Sequence, residues 1–194
     1  MIHLLWRNPR TLARATEDVR RVAGDAANLT LEQVGRLDCV EACVHETLRL
    51  KPVAPTIPLQ TLRETTIGGV HVPAGIVFVS MMRRDSVSKS HVPRAAAFEP
   101  ERWMVEGGPS QLAGSAKRVS MPFGAGPRIC PGRYLALLEM KMAMALLLGR
   151  FDIESVDTHD GREAREHLSF TMTPVGLRMR EHAVVAAQRA PAAR

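Results

Sequence analysis

The sequence predicts a mainly helical chain carrying small β-sheets, an α+β fold. Apolar residues recur at helical spacing over 2–23, 31–50 and 133–149. Short β-rich runs punctuated by Gly and Pro fill 52–80 and return after 151. Composition supplies the third observation. Of 194 residues, 45% are apolar and 24% charged, the balance of a globular chain that can bury a sizeable core. With 14 Gly and 13 Pro, a collagen-like or low-complexity chain is excluded.

The elements follow in order. Residues 2–23 place Leu4, Leu5, Leu12, Val19 and Val22 among many Arg, an amphipathic helix that can restart at Pro9 and end at Gly24-Asp25. Thr30, with Gln33 three residues on, makes a capping box. It opens a second helix from about Leu31 to Leu50, stopped by Lys51-Pro52. From Pro52 to Ser80 the runs Thr65–Ile67, Val70–Val72 and Ile76–Val79 read as strands joined by turns at Gly68-Gly69 and Pro73-Ala74-Gly75. Residues 83–120 read as a long irregular segment, of the kind that carries function or covers something. A Gly-rich loop over 121–132 leads into the helix 133–149. Strands are expected at Phe151–Ile153 and Gly176–Arg180, and an Ala-rich tail over 183–194.

Three Cys are too few for a disulfide-stapled secreted domain, so reduced thiols in a reducing compartment are expected. The net charge of +6 comes from 22 Arg and 4 Lys against 20 acidic residues. Such a balance suits nucleic acid, an acidic membrane surface or an acidic protein, and selects none of them. Only 4% of residues are aromatic, which argues against a stacking platform for single strands. The apolar run at the N-terminus is too short for a secretory core and Met142–Leu148 is too short to span a bilayer.

The most informative stretch is Phe123-Gly-Ala-Gly-Pro-Arg-Ile-Cys130-Pro-Gly132. Its glycines let backbone approach a flat ligand, and its prolines stiffen the loop. Cys130 stands just before a helix, where the dipole and free N–H groups favour a thiolate. Arg128 and Arg133 add positive charge. From the residues alone two readings stand: a Gly-rich turn holding a structural Cys, or a thiolate nest suited to an iron ligand, with Arg128 as a fork for a carboxylate or phosphate. A dinucleotide loop is ruled out, since no β-rich run enters it and the third Gly is misplaced.

The stretch resembles the haem-binding signature of the cytochrome P-450 family through Phe123, Gly126, Arg128, Cys130 and Gly132. Two further segments resemble family elements. Glu46-Thr-Leu-Arg49 sits on one helical face. Phe98-Glu-Pro-Glu-Arg102-Trp103 resembles the family's Pro-Glu-Arg-Phe segment, with Trp in the last place. The order and spacing match across about 2–181. The resemblance implies a haem-dependent monooxygenase with a mainly α fold, residues 1–182 forming the C-terminal part of the domain. The family's oxygen-activating central helix has no counterpart here, so no catalytic residue is assigned in this chain.

The same resemblance makes Cys130 the proximal ligand of haem b (iron protoporphyrin IX), Arg128 a propionate partner and Phe123 the ring beside the sulfur. Gly124, Gly126, Ile129 and Gly132 complete the cofactor-binding loop. Glu46, Arg49 and Arg102 form a buried structural network, and Val53–Ile57 pass over the distal haem face. Implied partners are a ferredoxin-type or flavoprotein redox protein relaying electrons from NAD(P)H, and a small apolar organic substrate, with no nucleic acid. Lys117, Arg118, Arg133 and Lys141 would face the redox partner. Two departures stand out. Leu59 and Gln60 lie where many members have a propionate-binding Arg. Arg83 takes a His place, from which it would reach the haem edge. Met140, Met142 and Met144, with Leu135, Leu138, Leu146 and Leu147, are expected as core beneath the loop. Cys39 and Cys43, four apart, are expected as a buried face. High Arg over Lys hints at a bacterial, cytoplasmic protein. Membrane attachment is not readable from these residues. The alternative function is a non-catalytic haem-binding remnant or sensor.

Overall fold

The computed structural model describes residues 1–24, 28–104 and 116–184. Pro9 divides the first helical pattern into α1 (Ile2–Trp6) and α2 (Pro9–Ala23). At the first helical position its missing N–H costs nothing. Gly24 ends α2 in a left-handed conformation (φ 58°), with its N–H bonded to Arg20 O at 3.3 Å. The expected capping box is present at α3 (Leu31–Gly35): Thr30 Oγ1 accepts from Gln33 N–H at 3.2 Å and Gln33 Oε1 from Thr30 N–H at 2.9 Å.

One helix was expected over 31–50, and the structure forms two. Leu37 N–H turns back to Val34 O and closes α3. Leu37 itself is fully buried, and α4 (Asp38–Leu50) starts beyond it. The break is sustained from another element. The buried Asp18 carboxylate of α2 accepts the Cys39 N–H at 3.0 Å, satisfying a donor the new helix start exposes. Leu5, Val19, Leu37, Val40, Cys43, Ala145 and Leu148 then form one core between α1, α2, α4 and α8 (Arg133–Arg150). Each such Leu or Val contributes about 1.5–3 kcal/mol by burial.

The β structure consists of antiparallel pairs. β1 (Ile57–Gln60) pairs β4 (Val77–Ser80), and β2 (Thr65–Ile67) pairs β3 (Val70–Val72). The long irregular segment contains short helices: α5 (Met82–Ser86), α6 (Glu101–Met104) and α7 (Ala116–Val119). After α8, β5 (Phe151–Thr158) pairs β8 (Leu177–Ala183), and β6 (Arg165–Leu168) pairs β7 (Met172–Val175). The expected C-terminal tail falls from 185 outside the described residues, while Ala183 still belongs to β8.

Two expectations about α8 need correction. The buried face is Lys141, Met144, Ala145 and Leu148, so Leu135 and Leu146 point away from the core and are exposed, Leu135 by 59%. Lys141, expected on an open docking face, is only 5% exposed. Its Nζ bonds the Glu41 carboxylate of α4 at 2.6 Å, which locks the two helices together.

Candidate functional site

The loop before α8 is shaped by its own backbone. Gly124 N–H bonds Met121 O at 2.9 Å, and Gly126–Arg128 form a 3₁₀ turn that brings Ile129 N–H to Gly126 O at 3.1 Å. Cys130 N–H then reaches back to Phe123 O at 2.8 Å. Gly124 (φ 73°) and Gly126 (φ 69°) hold left-handed conformations that a side chain would strain. Ile57, at the start of β1, approaches the loop: its Cδ1 would lie 3.8 Å from a Cβ at Gly124.

These constraints put a free, half-buried Cys130 thiol three residues before Arg133, the first helical residue of α8. Gly132, the N-cap, has no side chain to satisfy the first-turn N–H groups, so that end of the helix keeps its positive potential near the sulfur. Phe123 and Ile129, within the loop, are half-buried. Arg128 is exposed and makes no ion pair or hydrogen bond among the described residues. Arg133 turns away, its guanidinium lying 4.4 Å from the Tyr134 ring centroid and bonding the Tyr134 hydroxyl. A reduced, half-buried thiol, a guanidinium two residues away with no partner among the described residues, and a loop with glycine at 124, 126 and 132 fit a flat anionic metal macrocycle. The residues expected in that role stand together.

Glu46 and Arg49 are both fully buried. Arg49 binds Glu46 as a fork, Nε to Oε2 at 2.9 Å and Nη2 to Oε1 at 2.8 Å. Arg102 Nε donates to Glu46 Oε1 at 3.0 Å. The network expected from sequence is therefore formed. It is larger than expected. Trp103 Nε1–H donates to Glu46 Oε2 at 2.8 Å and Glu99 N–H to Oε1 at 2.9 Å. Arg49 also holds the carbonyls of Ser86, Ala95 and Ala97. Burial alone would push the Glu46 carboxyl up, but the donors from Arg49, Glu99 and Trp103 outweigh it and hold it below the usual range. Sequence reasoning missed Trp103 as a participant. The signal was the Trp in the Phe place, since an indole adds an N–H that a phenyl ring lacks. The side chains of Lys117 and Arg118 lie outside the described residues.

Arg83 does not turn toward the loop. It forks onto the Glu166 carboxylate of β6, and Lys51 Nζ joins the same carboxylate at 2.7 Å. Leu59 and Gln60 lie on β1 and bring no cation to the site. Val53 and Ala54 are exposed, while Pro52 and Pro55 are buried. Cys39 and Cys43 lie in the core as expected. A hydrogen bond to Cys39, with burial, pushes the Cys43 thiol up and keeps it protonated. A cavity of about 890 Å³ opens between α1, α4, α8 and the β6–β7 hairpin, lined by His3, Leu48, Val53, Met140, Met144 and Met172 among others. No residue of the 121–132 loop lines it.

Comparisons with known proteins agree with this geometry. The sequence matches the family description "Cytochrome P450" over residues 1–180. It is 35% identical over 156 residues to averantin hydroxylase of Dothistroma septosporum, covering 78% of this chain and 29% of that protein. It is 33% identical over 158 residues to (+)-vincadifformine 19-hydroxylase of Catharanthus roseus, covering 79% and 30%. The heme domain of cytochrome P450DA superposes with a TM-score of 0.82 at 25% identity, over 99% of this chain and 41% of that one. The chain thus spans about a third of the curated relatives it matches.

Proposed function

Since the chain belongs to the cytochrome P450 family, we propose that it supplies the haem-thiolate portion of a monooxygenase, an oxidoreductase that inserts one atom of dioxygen into a small apolar organic substrate. The observation that carries this reading is the free Cys130 thiol, held by the Phe123 carbonyl contact in a glycine-lined loop at the start of α8. Cys130 would be the iron ligand. Arg128 would pair an acidic edge of the macrocycle as a charge-assisted contact. Phe123 and Ile129 would shield the sulfur from water and tune its basicity through burial. Gly124, Gly126 and Gly132 would leave room for a flat ring.

Haem bound through a thiolate supplies the dioxygen chemistry, with the sulfur pushing electron density toward the iron. The chain's own contribution is positional. Backbone hydrogen bonds fix the loop, Lys141–Glu41 fixes α8 against α4, and the Glu46 network fixes the segment 95–103 against the same helix. The electrons would come from NAD(P)H through a ferredoxin-type or flavoprotein partner. Of the cations expected to face such a partner, Arg133 is half-buried at the start of α8, beside the loop where the partner would approach.

A second reading is a haem-binding remnant or sensor without turnover, supported by the exposure of the apolar side chains Leu135 and Val53. Two measurements separate the readings. Haem-loaded protein, reduced under carbon monoxide, should show the strongly red-shifted Soret band of thiolate ligation, and Cys130→Ser should abolish it; retention of the band in the variant overturns the ligand assignment. NAD(P)H oxidation matched by product marks a monooxygenase, whereas a thiolate spectrum without product marks the remnant.

A further inference from the structure

The segment 51–58 contains prolines at 52, 55 and 58, so three of its positions have no N–H to donate. It is held instead through its carbonyls. Val53 O accepts from Met172 N–H, at the start of β7, at 2.7 Å. Pro55 O accepts from Arg83 N–H, in the first turn of α5, at 3.2 Å. The two donors belong to elements almost ninety residues apart in the chain. What joins them is a side-chain bridge. Arg83 forks onto Glu166, on the strand paired with β7, where Glu166 stands opposite Pro174. Lys51, the residue before Pro52, bonds Glu166 at 2.7 Å and Glu163 at 2.5 Å. The result is a closed ring: Lys51, the 52–55 backbone, Met172, the β6–β7 hairpin, Glu166, Arg83 and back to Pro55.

We propose that Glu166, bridging Arg83 and Lys51, is a positioning residue that sets the path of segment 53–57 by holding α5 and the β6–β7 hairpin at a fixed separation. The bridge is suited to this role. Glu166 is about four-fifths buried and its two cations about two-thirds to three-quarters buried, so solvent screens them less than a surface pair. Hydrogen bonds from Arg83 and Lys51 outweigh the effect of burial and hold the Glu166 carboxyl below its usual range. The Arg83 side chain and backbone serve the same ring, so moving one moves the other. The consequence for substrate rests on the haem-thiolate reading. Val53 and Ala54 are the exposed residues of this segment, and their placement would fix one wall of the apolar substrate site.

The test is amide hydrogen exchange on the full chain. In Glu166→Gln, exchange at Met172 and Arg83 should rise roughly tenfold, while the Cys130 amide, bonded to Phe123 O, should not change. The conservative variant Glu166→Asp, which keeps the charge for both Arg83 and Lys51, should keep exchange slower than Glu166→Gln does. In haem-loaded protein the same Gln variant should bind a small apolar probe such as camphor several-fold more weakly, with its carbon monoxide band unmoved. Unchanged exchange at Met172 and Arg83 overturns the proposal, as does a rise shared equally by Cys130. A wild-type protein without a thiolate band would instead remove the haem reading and leave the exchange result standing.

Discussion

Two regions carry the resemblance, and they are built in opposite ways. Around Glu46 every polar atom has found a partner within the chain. Arg49, Arg102, Trp103 and the Glu99 backbone all converge on one buried carboxylate. Around Cys130 the backbone is pinned, yet the thiol is free and the Arg128 guanidinium has no ion pair or hydrogen bond among the described residues. A saturated cluster makes a shape, whereas an unsaturated one leaves groups that can still bond. The same kind of motif, a few fixed residues at fixed spacing, therefore has two physical meanings. Pairing in the folded chain tells them apart.

The contrast predicts a ranking of effects. Glu46→Gln should be the most damaging substitution. It leaves the fully buried Arg49 without a counter-charge and should cost about 3–5 kcal/mol in denaturant unfolding, a large part of a typical domain's stability. A loss below about 1 kcal/mol would show that the network is not the anchor described above. Arg128→Gln should leave unfolding unchanged but weaken haem binding roughly tenfold or more, the loss of one charge-assisted contact; a haem titration reads this directly.

Acid should act on the paired side first. The Glu41 carboxyl is lowered to about 2, chiefly by His45 and then by Lys141. A depressed carboxylate stabilises the fold above its unfolded pKa of about 4.3 and loses that contribution as pH falls toward 2. The Glu41 side chain is 43% exposed, so screening reduces its share to about 1 kcal/mol. Lys141→Met should shrink the acid-dependent part of the unfolding curve between those values. Cys130→Ser should, like Arg128→Gln, be mild for stability, within about 0.5 kcal/mol, while removing the thiolate spectrum entirely. Equal thermal midpoints with unequal spectra would sharpen the division between the two regions.

The division also explains what could be read in advance. Glu46, Arg49 and Arg102 were legible because each place in the network requires one residue type at one spacing. The Pro9 helix start and the Thr30–Gln33 box were legible because caps act over three or four residues. The break at Leu37 was not, since it depends on Asp18 from another helix. Leu135 and Lys141 misled for the same reason. Hydrophobicity and charge predict burial on average, but Glu41 on α4 buries the lysine and the rotation of α8 exposes the leucine. β1 and β7 are short and interrupted by Pro58 and Pro174, and β6 is only four residues long, so none shows a clear alternating pattern; β1 also finds its partner, β4, about twenty residues on. Arg83 was expected from sequence to reach the haem edge, and only the fold shows that Glu166 holds it.

Trp103 deserves a final use. Its indole lies between the His45 ring, 5.1 Å away in a stacked arrangement, and the Glu46 carboxylate to which it donates. Trp6 is the other tryptophan in the chain. A fluorophore wired to a buried anion makes the anchor optically addressable, so in a Trp6→Phe background emission colour and quenching would report the moment the carboxylate loses its donors, with no added label.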